Sequence, residues 1–145
     1  MILLSLMACT EPSMKRIDMM ERQISTIEDK FQKTEKAFNN LVEDCIKFDE
    51  FLRNDNNPKP EMQLVRAYLQ QYEDERVIML EEIEYSKSQL RDLKDDFKKG
   101  LYSEAQREEY LTSEEQAVKK INAKLDYFAD RLEKQSVAIN GIVKQ

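Results

Sequence analysis

The sequence predicts an all-α protein: an elongated antiparallel three-helix bundle with coiled-coil-like heptad packing. Three observations lead there. Apolar residues recur at alternating steps of three and four along three long stretches, the signature of a narrow helical seam. Only two Gly and three Pro interrupt the chain. Ala, Glu, Lys, Leu and Arg fill 63 of 145 positions, a bias toward long helices and away from sheets with their Gly-rich turns. A chain of this length is one domain's worth. The bundle is expected to occupy residues 15–145, with helices over about 15–53, 61–99 and 103–140.

The first helix rests on Ile17, Met20, Ile24, Ile27, Phe31, Thr34, Phe38, Leu41, Cys45, Phe48 and Leu52. Thr34 is its polar exception, and Cys45 packs as a small hydrophobe. Asp18/Arg22, Asp29/Lys33 and Glu43/Lys47 add i,i+4 pairs outside the seam. The pattern stops at Asn54-Asp55-Asn56-Asn57-Pro58-Lys59-Pro60. There, side chains that bond nearby backbone meet prolines that cannot continue a helix. This segment is a helix connection and not a calcium loop, because Pro58 falls where a ligand would stand and no Gly follows.

A second seam runs Met62, Val65, Leu69, Tyr72, Arg76, Met79, Ile83, Ser86, Leu90, Leu93 and Phe97. Arg76 and Ser86 are polar exceptions, and Arg76 is expected to reach the edge or meet an acid from a neighbouring helix. Lys98 and Lys99 suit the negative end of the helix dipole, and Gly100 suits a left-handed C-terminal cap. Ser103 and Gln106 then have capping-box spacing, and Thr112 and Glu115 repeat it. A short helix therefore precedes a longer one, or the two fuse. The last seam is Val118, Ile121, Leu125, Phe128, Leu132, Gln135, Ile139 and Ile142, interrupted by Gly141. Connections this short force neighbouring helices to be antiparallel.

Several chemistries are excluded or unsupported. With no His and only two cysteines, 36 residues apart, neither a zinc motif nor a disulfide framework follows. No metal, cofactor or catalytic residue is assigned. Glu81 with Glu84, and Asp92 with Asp95, lie outside the seams and read as solvated surface. A net charge of -6 with both signs interleaved makes nucleic acid an improper partner, since phosphate binding needs a basic face. Tyr102 and Tyr110, like Tyr68 and Tyr72, read as residues that close a core with the hydroxyl in water, the alternative being anchors for a partner. An enzyme is not expected.

The head of the chain differs from all of this. Met1 to Ala8 is uncharged and apolar on every side, and polarity begins abruptly at Thr10 and Glu11. Eight helical residues cover roughly 12 Å, against about 30 Å of hydrocarbon. Leu6-Met7-Ala8-Cys9 resembles the lipobox of bacterial lipoproteins, with Leu6 and Ala8 at the expected positions and Cys9 at the modified one. The resemblance implies cleavage before Cys9 and lipidation of its thiol. Residues 1–8 would then be a signal remnant, with the true start upstream of Met1, and residues 9–14 a tether. Two or three acyl chains hold a protein on a membrane far more firmly than one. Thr10, where an Asp would favour inner-membrane retention, points to the outer membrane.

The expectation is a lipid-anchored, non-enzymatic bundle of the bacterial cell envelope that binds or scaffolds a protein not identified by the sequence. The alternative is a soluble cytoplasmic coiled-coil adaptor with an apolar start. A homo-oligomer is a further option, because a long heptad helix can pair with its own copy; the connection lengths favour the bundle within one chain.

Overall fold

The computed structural model describes residues 11–52 and 59–143. Three helices account for nearly all of it: α1 (Pro12–Leu52), α2 (Pro60–Lys98) and α3 (Glu104–Val143). At 1.5 Å per residue each is roughly 60 Å long. No strand occurs among the described residues, and each helix packs on both others.

Cross-helix partners fix the directions. Lys94 reaches Asp18 and Glu21, Lys87 reaches Glu28, and Tyr72 reaches Glu35, so α1 and α2 run antiparallel. Lys124 of α3 meets Glu75 and Glu82 of α2, while Arg131 lies over Tyr68, which makes that pair antiparallel too. Arg16 meets Glu108 and Glu115, and Lys30 meets Asn122 and Asp126, so α1 and α3 are parallel. The topology is up, down, up.

The core is the three seams turned inward. Ile17 through Phe48 of the first seam are all buried, including Thr34, whose hydroxyl donates to the Lys30 carbonyl at 2.9 Å. That bond satisfies the polar group without leaving the helix. In α2 the seam is buried except for Leu69 and Arg76, which are half-buried. In α3, Val118 to Ile139 are buried and Ile142 packs against the core. Gly141 lies within α3 and does not end it.

The start of α1 differs from expectation. The segment 9–14 is not a tether throughout, because α1 begins at Pro12. Proline's fixed φ suits the first helical position, and its missing N–H would be unpaired there anyway; the Glu11 carbonyl accepts from Met14 at 2.9 Å. Of the two arrangements expected after Gly100, the structure has the fused one, a single helix from Glu104. Ser103 and Gln106 form the reciprocal pair, with Ser103 N–H donating to Gln106 Oε1 at 3.0 Å and Gln106 N–H to Ser103 Oγ at 3.3 Å. Thr112 instead donates to Glu108 and Glu115 turns to Arg16, so the helix continues through them.

The turn between α2 and α3 is tightly specified. Gly100 has φ +69°, where a residue with a Cβ is strained. Gly100 N–H bonds the Phe97 carbonyl at 3.1 Å and Leu101 N–H that of Asp96 at 3.2 Å, the pairing of a Schellman cap. Pro60 takes the first position of α2.

Candidate functional site

Cys9, the residue assigned to lipidation, and the whole segment Leu6-Met7-Ala8-Cys9 lie outside the described residues, as do Asn54 to Pro58 of the connector. Cys45 is a buried free thiol, and burial pushes its pKa up, so it behaves as an apolar core residue. The rise of α1 places Cys45 roughly 50 Å from Pro12 along the axis.

The most polar place in the core is a layer contributed by all three helices. Tyr72 is fully buried, with its ring 5.0 Å from Phe38 and 5.4 Å from Phe128. Its hydroxyl donates to Glu35 Oε1 at 2.6 Å, so it does not reach water as the sequence suggested. Burial, and then the bond to Glu35, hold the phenol well above its ordinary pKa. Arg76 stands at the edge, 3.7 Å from Glu35 and 3.2 Å from Glu73, with its guanidinium 5.3 Å over the Phe38 ring. Pairing with an acid of the neighbouring helix is the role expected for it. The result is a network that ties α1 to α2, buried at the Tyr72 hydroxyl and open to solvent at Arg76 and Glu73. A phenol held protonated and walled in by aromatic rings has no open side on which a reacting group could sit.

At the Gly100 end, Tyr102 packs on the core beside Phe97, with its hydroxyl donating to Asp96 at 3.1 Å. Tyr110 covers it edge-on at 4.9 Å and stays exposed. Sealing is thus the arrangement for this pair. Arg107 completes the seal: it donates to the Tyr102 carbonyl at 3.3 Å, pairs with Glu11, and lies 5.1 Å over the Phe97 ring.

Glu114 was not singled out by sequence. It holds a seam position between Leu111 and Val118, half-buried, and its Oε2 is buried with no hydrogen-bond partner. Burial alone raises its pKa above the ordinary 4.5. Leu111 and Arg107 share this part of the seam. The signal was available: stepping back from Val118 by four and three lands on Glu114, Leu111 and Arg107.

The remaining acids assigned to surface are there. Glu81, Glu84, Asp92 and Asp95 are all exposed. Among the described residues no cluster of acids, cysteines or histidines could hold a metal ion, and no helix is long and apolar enough to cross a membrane. A groove of about 660 Å³ runs between α1 and α3, lined by Met19, Thr26, Lys30, Glu115, Val118 and Lys119 among others. It is a shallow seam between parallel helices, with mixed charge. No protein-family model, no curated protein and no solved structure matches the chain.

Proposed function

We propose that this protein is a lipid-anchored, non-enzymatic helical bundle of the bacterial cell envelope that acts by binding or scaffolding another protein. The observation that carries the reading is Leu6-Met7-Ala8-Cys9, a lipobox-like segment three residues before a helix begins at Pro12. Acyl chains on Cys9 would fix the chain to the membrane, and Thr10 favours the outer one. A binding role is supported by a largely apolar core, with Tyr72 buried and bonded to Glu35, and by surface carboxylates such as Glu81, Glu84, Asp92 and Asp95 that lie in water. A bundle of this kind presents long outer faces and, between α1 and α3, a shallow groove.

Intact mass spectrometry of the protein from its host's membrane fraction tests the anchor, with Cys9→Ser as control. A species starting at Cys9 with added acyl mass, absent from the variant, is the expected result. An unmodified chain that retains Met1 and is found in the soluble fraction would overturn the anchor and leave a cytoplasmic adaptor.

A further inference from the structure

The middle of α2 carries more apolar surface than a solvated helix face needs. Val77-Ile78-Met79-Leu80 is a run of four apolar residues, of which the seam uses only Met79. Val77 is 57% exposed, Ile78 45%, Leu80 44% and Tyr85, two turns beyond Ile78, 64%. Scattered single apolar residues are ordinary on a surface. Four within nine residues on the outer arc of one helix are not, and contiguous patches of this kind mark interaction sites.

The charge around the patch states what would cover it. Between Glu73 and Ser86 stand six acids and one base, nearly the whole net charge of the chain. Arg76 is committed to Glu35 and Glu73. Lys124 approaches Glu75 and Glu82 from α3. Lys87 sits at 2.6 Å from Glu28 but 3.4 Å from Glu84. Exposed Asp74, Glu81 and Glu84 therefore interleave with the apolar side chains with little cationic compensation.

We propose that this face of α2 is a docking surface for a basic amphipathic helix of a partner protein. The apolar side chains would pack ridge into groove against the partner's apolar stripe, and its Lys or Arg residues would meet Asp74, Glu81 and Glu84. Complementary charge of this sort sets partner choice and association rate. An anionic membrane would be repelled. A second copy meeting the same face by two-fold symmetry would set the acids against one another. The proposal rests on the binding role above but not on the lipid anchor.

The test uses the full chain and two labelled amphipathic peptides of about 18 residues, one with Leu and Lys faces and one with Glu in place of Lys. Fluorescence anisotropy should show binding of the Lys peptide, weakening as salt rises, and none of the Glu peptide. The triple variant Val77→Gln, Ile78→Gln, Tyr85→Gln, which alters only exposed side chains, should lose about tenfold in affinity or more. Leu101→Gln, an exposed apolar residue elsewhere, should lose nothing. Equal affinity for both peptides, or an unaffected triple variant, overturns the assignment. So does self-association or binding to phosphatidylglycerol vesicles that the triple variant abolishes. If the Lys peptide fails to bind while in-cell crosslinking still joins the chain to a protein, the α2 surface is wrong and the binding role stands. If both fail, the binding role falls as well.

Discussion

Polarity enters the packed seams of α2 and α3 in two contrasting ways. At the level of Tyr72 a hydroxyl, a carboxylate and a guanidinium come together from two helices, and Phe128 of the third packs edge-on against the phenol ring. At the level of Glu114 a single carboxylate stands in a seam with one oxygen buried and unpartnered. The first arrangement converts polar groups into specific cross-helix contacts. The second leaves a desolvated oxygen, and an unmet buried acceptor costs about 1–3 kcal/mol. Tyr72 and Glu114 both hold seam positions; the presence of a hydrogen-bond partner at the right height on the neighbouring helix decides the outcome.

The largest expected effect comes from breaking the satisfied layer. Tyr72→Ala should destabilise the fold by about 3–5 kcal/mol, because it empties a three-helix aromatic contact and strips Glu35 of its donor. Tyr72→Phe keeps the ring and should cost about 1 kcal/mol. Urea denaturation of both variants separates packing from hydrogen bonding, and equal losses would mean that the hydroxyl carries the layer.

At the other level the sign reverses. Glu114→Leu should stabilise by about 1 kcal/mol by replacing a desolvated carboxylate with a seam-filling side chain. It should also remove a pH dependence. Glu114 has its folded pKa raised by burial, so the native state binds this proton more tightly than the unfolded chain. Its contribution is therefore fully present below the ordinary carboxyl pKa and is lost as pH rises through the folded value. The wild type should lose stability relative to Glu114→Leu on going from acid to neutral pH; parallel stability curves for the two proteins would contradict this. Smallest of all is Lys134→Ala, which removes an exposed i,i+4 pair with Asp130 at 2.8 Å. Its effect should stay within about 0.5 kcal/mol in a thermal melt, the baseline against which both seam effects are measured.

The heptads made the fold legible. In α1 every seam residue from Ile17 to Phe48 is buried, because a run of large apolar side chains at steps of three and four leaves one way to close a narrow stripe. The start of α3 was less legible, since periodicity is read from apolar residues and Arg107 and Glu114 are charged. The chain accommodates them differently, one over an aromatic ring at a bundle end and the other partly desolvated. Pro12 likewise reads as a break or as a first helical residue, and the carbonyl of Glu11 accepting from Met14 decides for the second. The acidic-apolar face of α2 was visible only as an unexplained run from Val77 to Leu80, because exposure depends on where the seam falls.

An odd number of helices has a mechanical consequence. With α1 and α3 parallel, Pro12 and Val143 sit at opposite ends of a rod roughly 60 Å long. Tension applied between those two residues loads the α1–α3 contacts in shear along their whole length. Arg16 with Glu115 and Lys30 with Asp126 would then resist together, whereas a hairpin of two helices pulled from its adjacent ends would unzip one contact at a time.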